Sequence, residues 1–145
     1  MHMHDLETAK NRLRKKGLTL SIAKKGEIVF EANSHGISGF LEAIENLGLK
    51  LEDASVADRV TGKAIALLSV YAKVKAVYAI TLSERAKTVF EENAVYHEWG
   101  NLVKNILGAN KAGICPFEEL AMEISNPNDA YRRLKALQNS LKHGR

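Results

Sequence analysis

A single cysteine, Cys115, stands in 145 residues, and that scarcity excludes an internal disulfide and any metal site built on two or four cysteines of one chain. Proline is equally sparse: Pro116 and Pro127 both fall late, and with no repeat and no low-complexity stretch there is no linker at which to divide the chain. No apolar run approaches the roughly 18 residues that a bilayer-spanning helix needs. The opening Met-His-Met-His-Asp-Leu-Glu also lacks the apolar stretch of a signal peptide, so the expected setting is the cytosol, with no membrane partner. What is present is ordinary: 46% apolar and 26% charged residues, close to the soluble globular average, in a chain long enough to bury roughly two-thirds of its extended surface. A single domain over residues 1–145 is expected.

The formal net charge of +4 hides an uneven distribution. Residues 1–25 hold seven Lys/Arg against two Asp/Glu, residues 131–145 hold five against none, and residues 26–130 hold nine against fifteen. Basic ends around an acidic body do not make a basic groove. No aromatic residue interleaves the Arg12–Lys16 cluster to stack on a base, so nucleic acid is a rival partner and not the expected one. That rival would use Arg12, Arg14, Lys15, Lys16, Arg132 and Arg133 on phosphates, and it requires the two terminal helices to share one face.

Hydrophobic spacing gives the elements in order. Leu6, Ala9 and Leu13 make residues 5–16 an amphipathic helix stopped by Gly17. Two alternating runs, 18–23 and 28–32, flank the turn Lys24-Lys25-Gly26-Glu27 and predict a β-hairpin. Ile37, Phe40, Leu41, Ile44 and Leu47 form one helical stripe closed by Gly48. Ser55 and Asp58 have the spacing of a capping box, and Val60, Ala64, Leu67, Leu68 and Tyr71 extend an apolar face, so the spacing predicts a helix over about 56–73. Residues 75–82 form an apolar run of strand length, and Ser83 caps a helix to about Glu92. A second hairpin is expected with arms 95–99 and 102–107 around Gly100-Asn101, residues 101–107 being alternatively a helical turn. Pro116 and Asn126 start the last two helices, to about Ile124 and over 127–142. The order argues for a three-layer α/β/α domain around a mixed sheet of about five strands.

Gly62-Lys63 invites a phosphate-loop reading, but Ala57 stands where the first loop glycine belongs and Ala64 where Ser or Thr belongs. Gly62 therefore reads either as close packing of a helix on the sheet or as room for a ligand or a neighbouring backbone, with Lys63 beside it. Cys115 sits at the N-cap of the helix that carries Glu118 and Glu119, where helix N–H groups favour a thiolate; burial as an ordinary apolar side chain is the competing reading. The histidines, His2, His4, His35, His97 and His143, make no metal pattern, and His97-Glu98 lacks the second histidine of a metalloprotease helix. Ser34-His35 could serve catalysis after the hairpin but reads first as an ordinary turn, and Ser34, His97 and Asp58 can be arranged on paper as a Ser-His-Asp set without support from their spacing.

Taken together, the hairpin 18–32, the stretch Gly36–Ile44, the motif Asp58-x₃-Gly62-Lys63-Ala64 and the motif Cys115-Pro116-x-Glu118 resemble a small family of uncharacterised prokaryotic proteins, a domain of unknown function with a cytidine-deaminase-like fold. The resemblance covers about residues 5–124. It implies a helix-sandwiched mixed sheet whose ligand site, in zinc-dependent relatives, lies at the N-termini of the two helices flanking the central strand. Those relatives need H-x-E at the first helix and P-C-x-x-C at the second. Here the corresponding segments read Gly62-Lys63-Ala64 and Ser83-Glu84-Arg85-Ala86, so neither zinc nor another cofactor is implied. The expectation is a small-molecule site near Asp58, Lys63, Cys115 and Glu118, with Lys63 supplying charge or an amine, Cys115 a nucleophile or polar lining, and Glu118 or Asp58 a proton acceptor. The rival is a catalytically silent binding or assembly module in which those side chains point apart. Trp99 and the outer helices are the candidate contact of a homodimer.

Overall fold

The computed structural model describes residues 2–34, 36–107 and 113–143. The hairpin forms as expected: Leu20–Lys24 (β1) pairs antiparallel with Glu27–Ala32 (β2), Leu20 opposite Ala32 and Lys24 opposite Glu27. Its turn residues Lys25 and Gly26 both take positive φ, 53° and 82°, the hand that lets two twisted strands close over two residues. Asp5 accepts hydrogen bonds from both turn N–H groups, at 3.0 and 2.8 Å, and so fastens the N-terminal helix His2–Lys16 (α1) to the hairpin. On that helix Ala9 and Leu13 pack against Leu18, Ala23 and Ala57, covering one face of the sheet. A fully buried leucine such as Leu13 contributes about 1.5–3 kcal/mol.

Three further strands complete the sheet: Ser55–Thr61 (β3), Ala76–Ser83 (β4) and Tyr96–Val103 (β5), in the order β2-β1-β3-β4-β5. β1 runs antiparallel to β3, whereas β3, β4 and β5 are parallel to one another. Each parallel step is made by one crossover helix, Lys63–Tyr71 (α3) and Glu84–Glu92 (α4). Both steps move in the same direction across the sheet, so right-handed crossovers place both helices on one face, where they pack together. Ser38–Leu47 (α2), followed by a 3-10 turn at Gly48–Leu51, and the late helices Pro116–Ala121 (α5) and Pro127–His143 (α6) join them. Among the described residues the three layers are therefore unequal, with α1 alone on one side and α2–α6 on the other. Because α1 packs on the sheet and α6 on α3 and α5, the basic ends of the chain lie on opposite sides and do not form the shared face that the nucleic-acid reading requires.

Two elements differ from the spacing-based expectation. Residues 55–61 are not the start of a helix but the central strand of the sheet, and the helix begins only at Lys63. The helical pattern came from Ala64, Leu67 and Leu68, which do belong to α3; Val60, taken as part of the same stripe, is 40% exposed at the strand's end. Val56 and Ala57 are both fully buried on opposite faces, so this strand lacks the alternation that announces a one-faced strand. The second correction is that β5 runs unbroken through Gly100-Asn101, so neither the second hairpin nor the helical turn forms. Gly100 marks a close approach: a Cβ there would stand 2.9 Å from the Ile80 carbonyl oxygen.

Two helix starts are capped as the sequence indicates. Ser83 Oγ accepts the Ala86 N–H at 3.0 Å, and Asn126 Oδ1 accepts those of Asn128 and Asp129 at 2.8 and 3.1 Å. Ser83→Ala should lower stability by about 1 kcal/mol in urea unfolding with the denaturant slope unchanged, and an unchanged midpoint would contradict the cap. Among the described residues no helix is long and apolar enough to cross a membrane.

Candidate functional site

The parallel strands β3 and β4 both deliver their carboxyl ends to helix starts. β3 ends at Thr61, Gly62 follows in extended conformation (φ −102°, ψ −173°) as the N-cap of α3, and Lys63 is the first helical residue. The Gly62-Lys63-Ala64 turn thus follows a strand and opens a helix, as a phosphate loop does, but Ala57 and Ala64 stand at positions where that loop needs Gly and Ser or Thr.

The exposed N–H groups of that turn are already engaged. Glu118, from the first turn of α5, places Oε1 2.7 Å from the Lys63 amide and Oε2 2.8 Å from the Ala64 amide. Two of the donors that a helix start leaves unpaired are satisfied by one internal carboxylate, in the position where a bound anion would sit. Gly62 is explained by the same contact. A Cβ there would lie 2.3 Å from the Glu118 carboxyl carbon and 2.4 Å from each of its oxygens, so a side chain at this position would have to displace the Glu118 carboxylate. The approaching group is a side chain and not the ligand or backbone expected for Gly62. Burial pushes the Glu118 carboxyl above its ordinary value, opposed by its hydrogen bonds from Ala64 and Lys63 and by the positive charges of Arg85 and Lys63.

Asp58 lies three residues before Thr61 on the face of β3 that it shares with Val56, the face covered by α2–α6. It caps no helix. Its Oδ2 accepts the Thr61 hydroxyl at 2.8 Å, and its side chain is 5% exposed. Burial drives its pKa up from 3.8 to about 7, against the hydrogen bonds from Thr61 and from the backbone of Arg59 and Val60. The neighbouring guanidinium does not neutralise it: Arg59 turns to the opposite face, donating to the Gly17 and Leu18 carbonyls at 3.1 and 2.8 Å at the end of α1.

Of the four residues singled out by sequence, the structure joins two, Lys63 and Glu118, and does so through the Lys63 backbone. The Lys63 ammonium is directed instead to the Met122 carbonyl at 3.5 Å. Cys115 is the half-buried N-cap of α5; its carbonyl accepts the Glu119 N–H at 2.9 Å, and its amide donates to Ile106 at 3.1 Å. Among the described residues Asp58 and Glu118 share no hydrogen-bond partner. A surface depression of about 560 Å³ lies elsewhere, at the start of α6, lined by Asn126, Asn128, Asp129 and Arg132. Sequence reasoning missed Thr61, which holds Asp58, and Arg85, whose charge acts on Glu118 and whose guanidinium donates to Asn105 at 2.6 Å. The position of Arg85 in the first turn after Ser83 was the available signal.

The Ser-His-Asp arrangement is not assembled. His97 sits on β5 between the rings of Phe90 and Trp99 with Nδ1 2.8 Å from the Val95 carbonyl, while Asp58 bonds Thr61; His35 and the side chains of His2 and His143 lie outside the described residues. Zinc does not fit the two helix starts: Lys63 and Arg85 bring positive charge, Ala64 brings no donor atom, and the Glu118 carboxylate is committed to the α3 backbone.

Comparison with known proteins agrees with this architecture. Residues 8–137 match the family model described as TM1506, a domain of unknown function (DUF1893). The crystal structure of a DUF1893 family protein (TM1506) from Thermotoga maritima superposes with a TM-score of 0.86 at 25% identity, covering 94% of this chain and 91% of that one. A diaminohydroxyphosphoribosylaminopyrimidine deaminase/5-amino-6-(5-phosphoribosylamino)uracil reductase from Thermotoga maritima gives 0.47 at 20% identity, over 69% of this chain and 37% of that one. RibD from Acinetobacter baumannii gives 0.47 at 17% identity, over 85% and 38%. No curated protein matches the chain.

Proposed function

For this chain, which belongs to the DUF1893 family, we propose a small-molecule-binding role at the carboxyl end of β3, with Asp58 as the group that exchanges a proton or a hydrogen bond with the ligand. The observation that carries this reading is a buried carboxyl with a hydroxyl and backbone N–H groups for partners and its neighbouring arginine turned away. A carboxyl in such a place is expensive for folding, and groups of this kind concentrate where a protein handles ligands. This reading assigns Glu118 and Gly62 to the wall of the site, Lys63 to a positively charged rim and Cys115 to its lining at the start of α5. The reading is zinc-free, and it leaves the domain as a binding module unless a bound ligand proves to be turned over.

Thermal-shift screening of small polar metabolites against the wild-type chain and Asp58→Asn tests it. A ligand at about 100 times its Kd adds about 2.7 kcal/mol to the stability of the state it binds. The expected result is a compound that raises the wild-type midpoint and has a much smaller effect on Asp58→Asn. Equal shifts in the two proteins, or no stabilising compound, would contradict the assignment.

A further inference from the structure

The last strand of the sheet, β5, is eight residues long, and among the described residues it pairs with β4 alone. A strand of that length offers a row of unpaired backbone groups, a template for another strand unless something blunts it. The Tyr96 amide donates to the Lys75 carbonyl at 3.3 Å, so the alternate residues His97, Trp99, Asn101 and Val103 turn their N–H and C=O groups away from β4. No proline interrupts the strand. Three large side chains with apolar surface stand exposed on it, Tyr96 at 40%, Trp99 at 38% and Leu102 at 42%.

We propose that this edge binds a second copy of the same chain, the two β5 strands pairing antiparallel about a two-fold axis at Asn101 to continue the sheet across both protomers. The register is set by what it places opposite what. Centred on Asn101, it puts Glu98 across from the partner's Lys104, the first residue after the strand, Gly100 across from the partner's Leu102, and Trp99 across from the partner's Val103. Each is complementary: a carboxylate meets an ammonium, a strand position without a side chain receives an exposed leucine, and an indole meets a β-branched residue. Residues directly opposite share a face, so the first two contacts fall on the α1 side, where Glu98 is held by Lys10 at 2.9 Å and Tyr96 at 2.6 Å. The third falls on the α4 side, where Lys87 lies over the Trp99 ring. Every contact occurs twice by symmetry, as in an isologous dimer.

Light scattering during size exclusion, run on the full chain across the micromolar range, tests the proposal. The expected particle has twice the 16.0 kDa chain mass. Lys104→Glu turns both symmetry-related charge pairs into like-charge pairs and should weaken dimerisation about tenfold. Asn101→Pro removes an outward N–H that β4 does not use and should abolish the dimer while leaving the circular dichroism spectrum intact. If Asn101→Pro fails to fold, Lys104→Glu decides alone. A monomer at every concentration, which would leave the edge to a strand from another protein, overturns the proposal, as does a dimer that no folded variant weakens.

Discussion

Asp58→Asn is expected to make the protein more stable at pH 8, by up to about 4 kcal/mol, and to leave it nearly unchanged at pH 4. The cause is a carboxyl whose pKa rises from 3.8 in the open chain to about 7 in the fold. Between those values the folded protein keeps a proton that the unfolded chain releases. Stability from this group is therefore fully present below pH 3.8, falls as pH rises toward 7, and is lost above it. Asparagine has the same shape and no charge to bury, so it escapes the penalty at high pH and gains nothing at low pH. Urea midpoints of the two proteins at pH 4, 6 and 8 measure the difference directly. A destabilised Asp58→Asn at pH 8 would mean that the carboxylate is an integral part of the fold, which the ligand-binding reading does not allow.

Gly62→Ala carries the second large effect. Its Cβ would meet the Glu118 carboxyl at 2.3–2.4 Å, and since Gly62 is already extended (φ −102°), the penalty is steric and owes nothing to backbone strain. The methyl must expel Glu118 from the start of α3, breaking two charge-assisted hydrogen bonds and leaving the Lys63 and Ala64 amides to find other partners. A loss of about 3 kcal/mol is expected. Glu118→Ala alone should cost about 2–3 kcal/mol, and the double variant should be no worse than Glu118→Ala, because the clash disappears with the carboxylate. Additive losses in this cycle would show that Gly62 and Glu118 act independently and that the clamp between α5 and α3 contributes little.

The sheet was legible wherever local chemistry decides structure. Lys25-Gly26 announces a tight hairpin, Ser83 and Asn126 announce helix starts, and Ile37 to Leu47 announce a buried helical stripe; each formed. β3 was hidden because a strand buried on both faces has no period of its own, and its short connection to α3 let the helical spacing of Ala64, Leu67 and Leu68 extend backward across it. β5 was broken on paper at Gly100 because a glycine required by a close carbonyl looks the same in sequence as a glycine required by a turn. The family resemblance through the motifs at Asp58–Ala64 and Cys115–Glu118 was correct, and the two motifs meet in one contact, Glu118 on the Gly62-Lys63-Ala64 turn. That contact spans more than fifty residues of chain, and no spacing rule reports such a pairing. The orientation of Arg59 away from Asp58, on which the proposed function depends, is likewise a product of strand alternation that became readable only once β3 was known to be a strand.

The most direct test is to titrate Asp58 itself, following its side-chain carboxyl carbon by NMR from pH 3 to pH 9, with Asp58→Asn identifying the resonance. The account predicts a single transition with a midpoint near 7. A midpoint at or below the ordinary 3.8 would contradict it, by showing a carboxylate that the fold already satisfies and that holds no proton to exchange with a ligand.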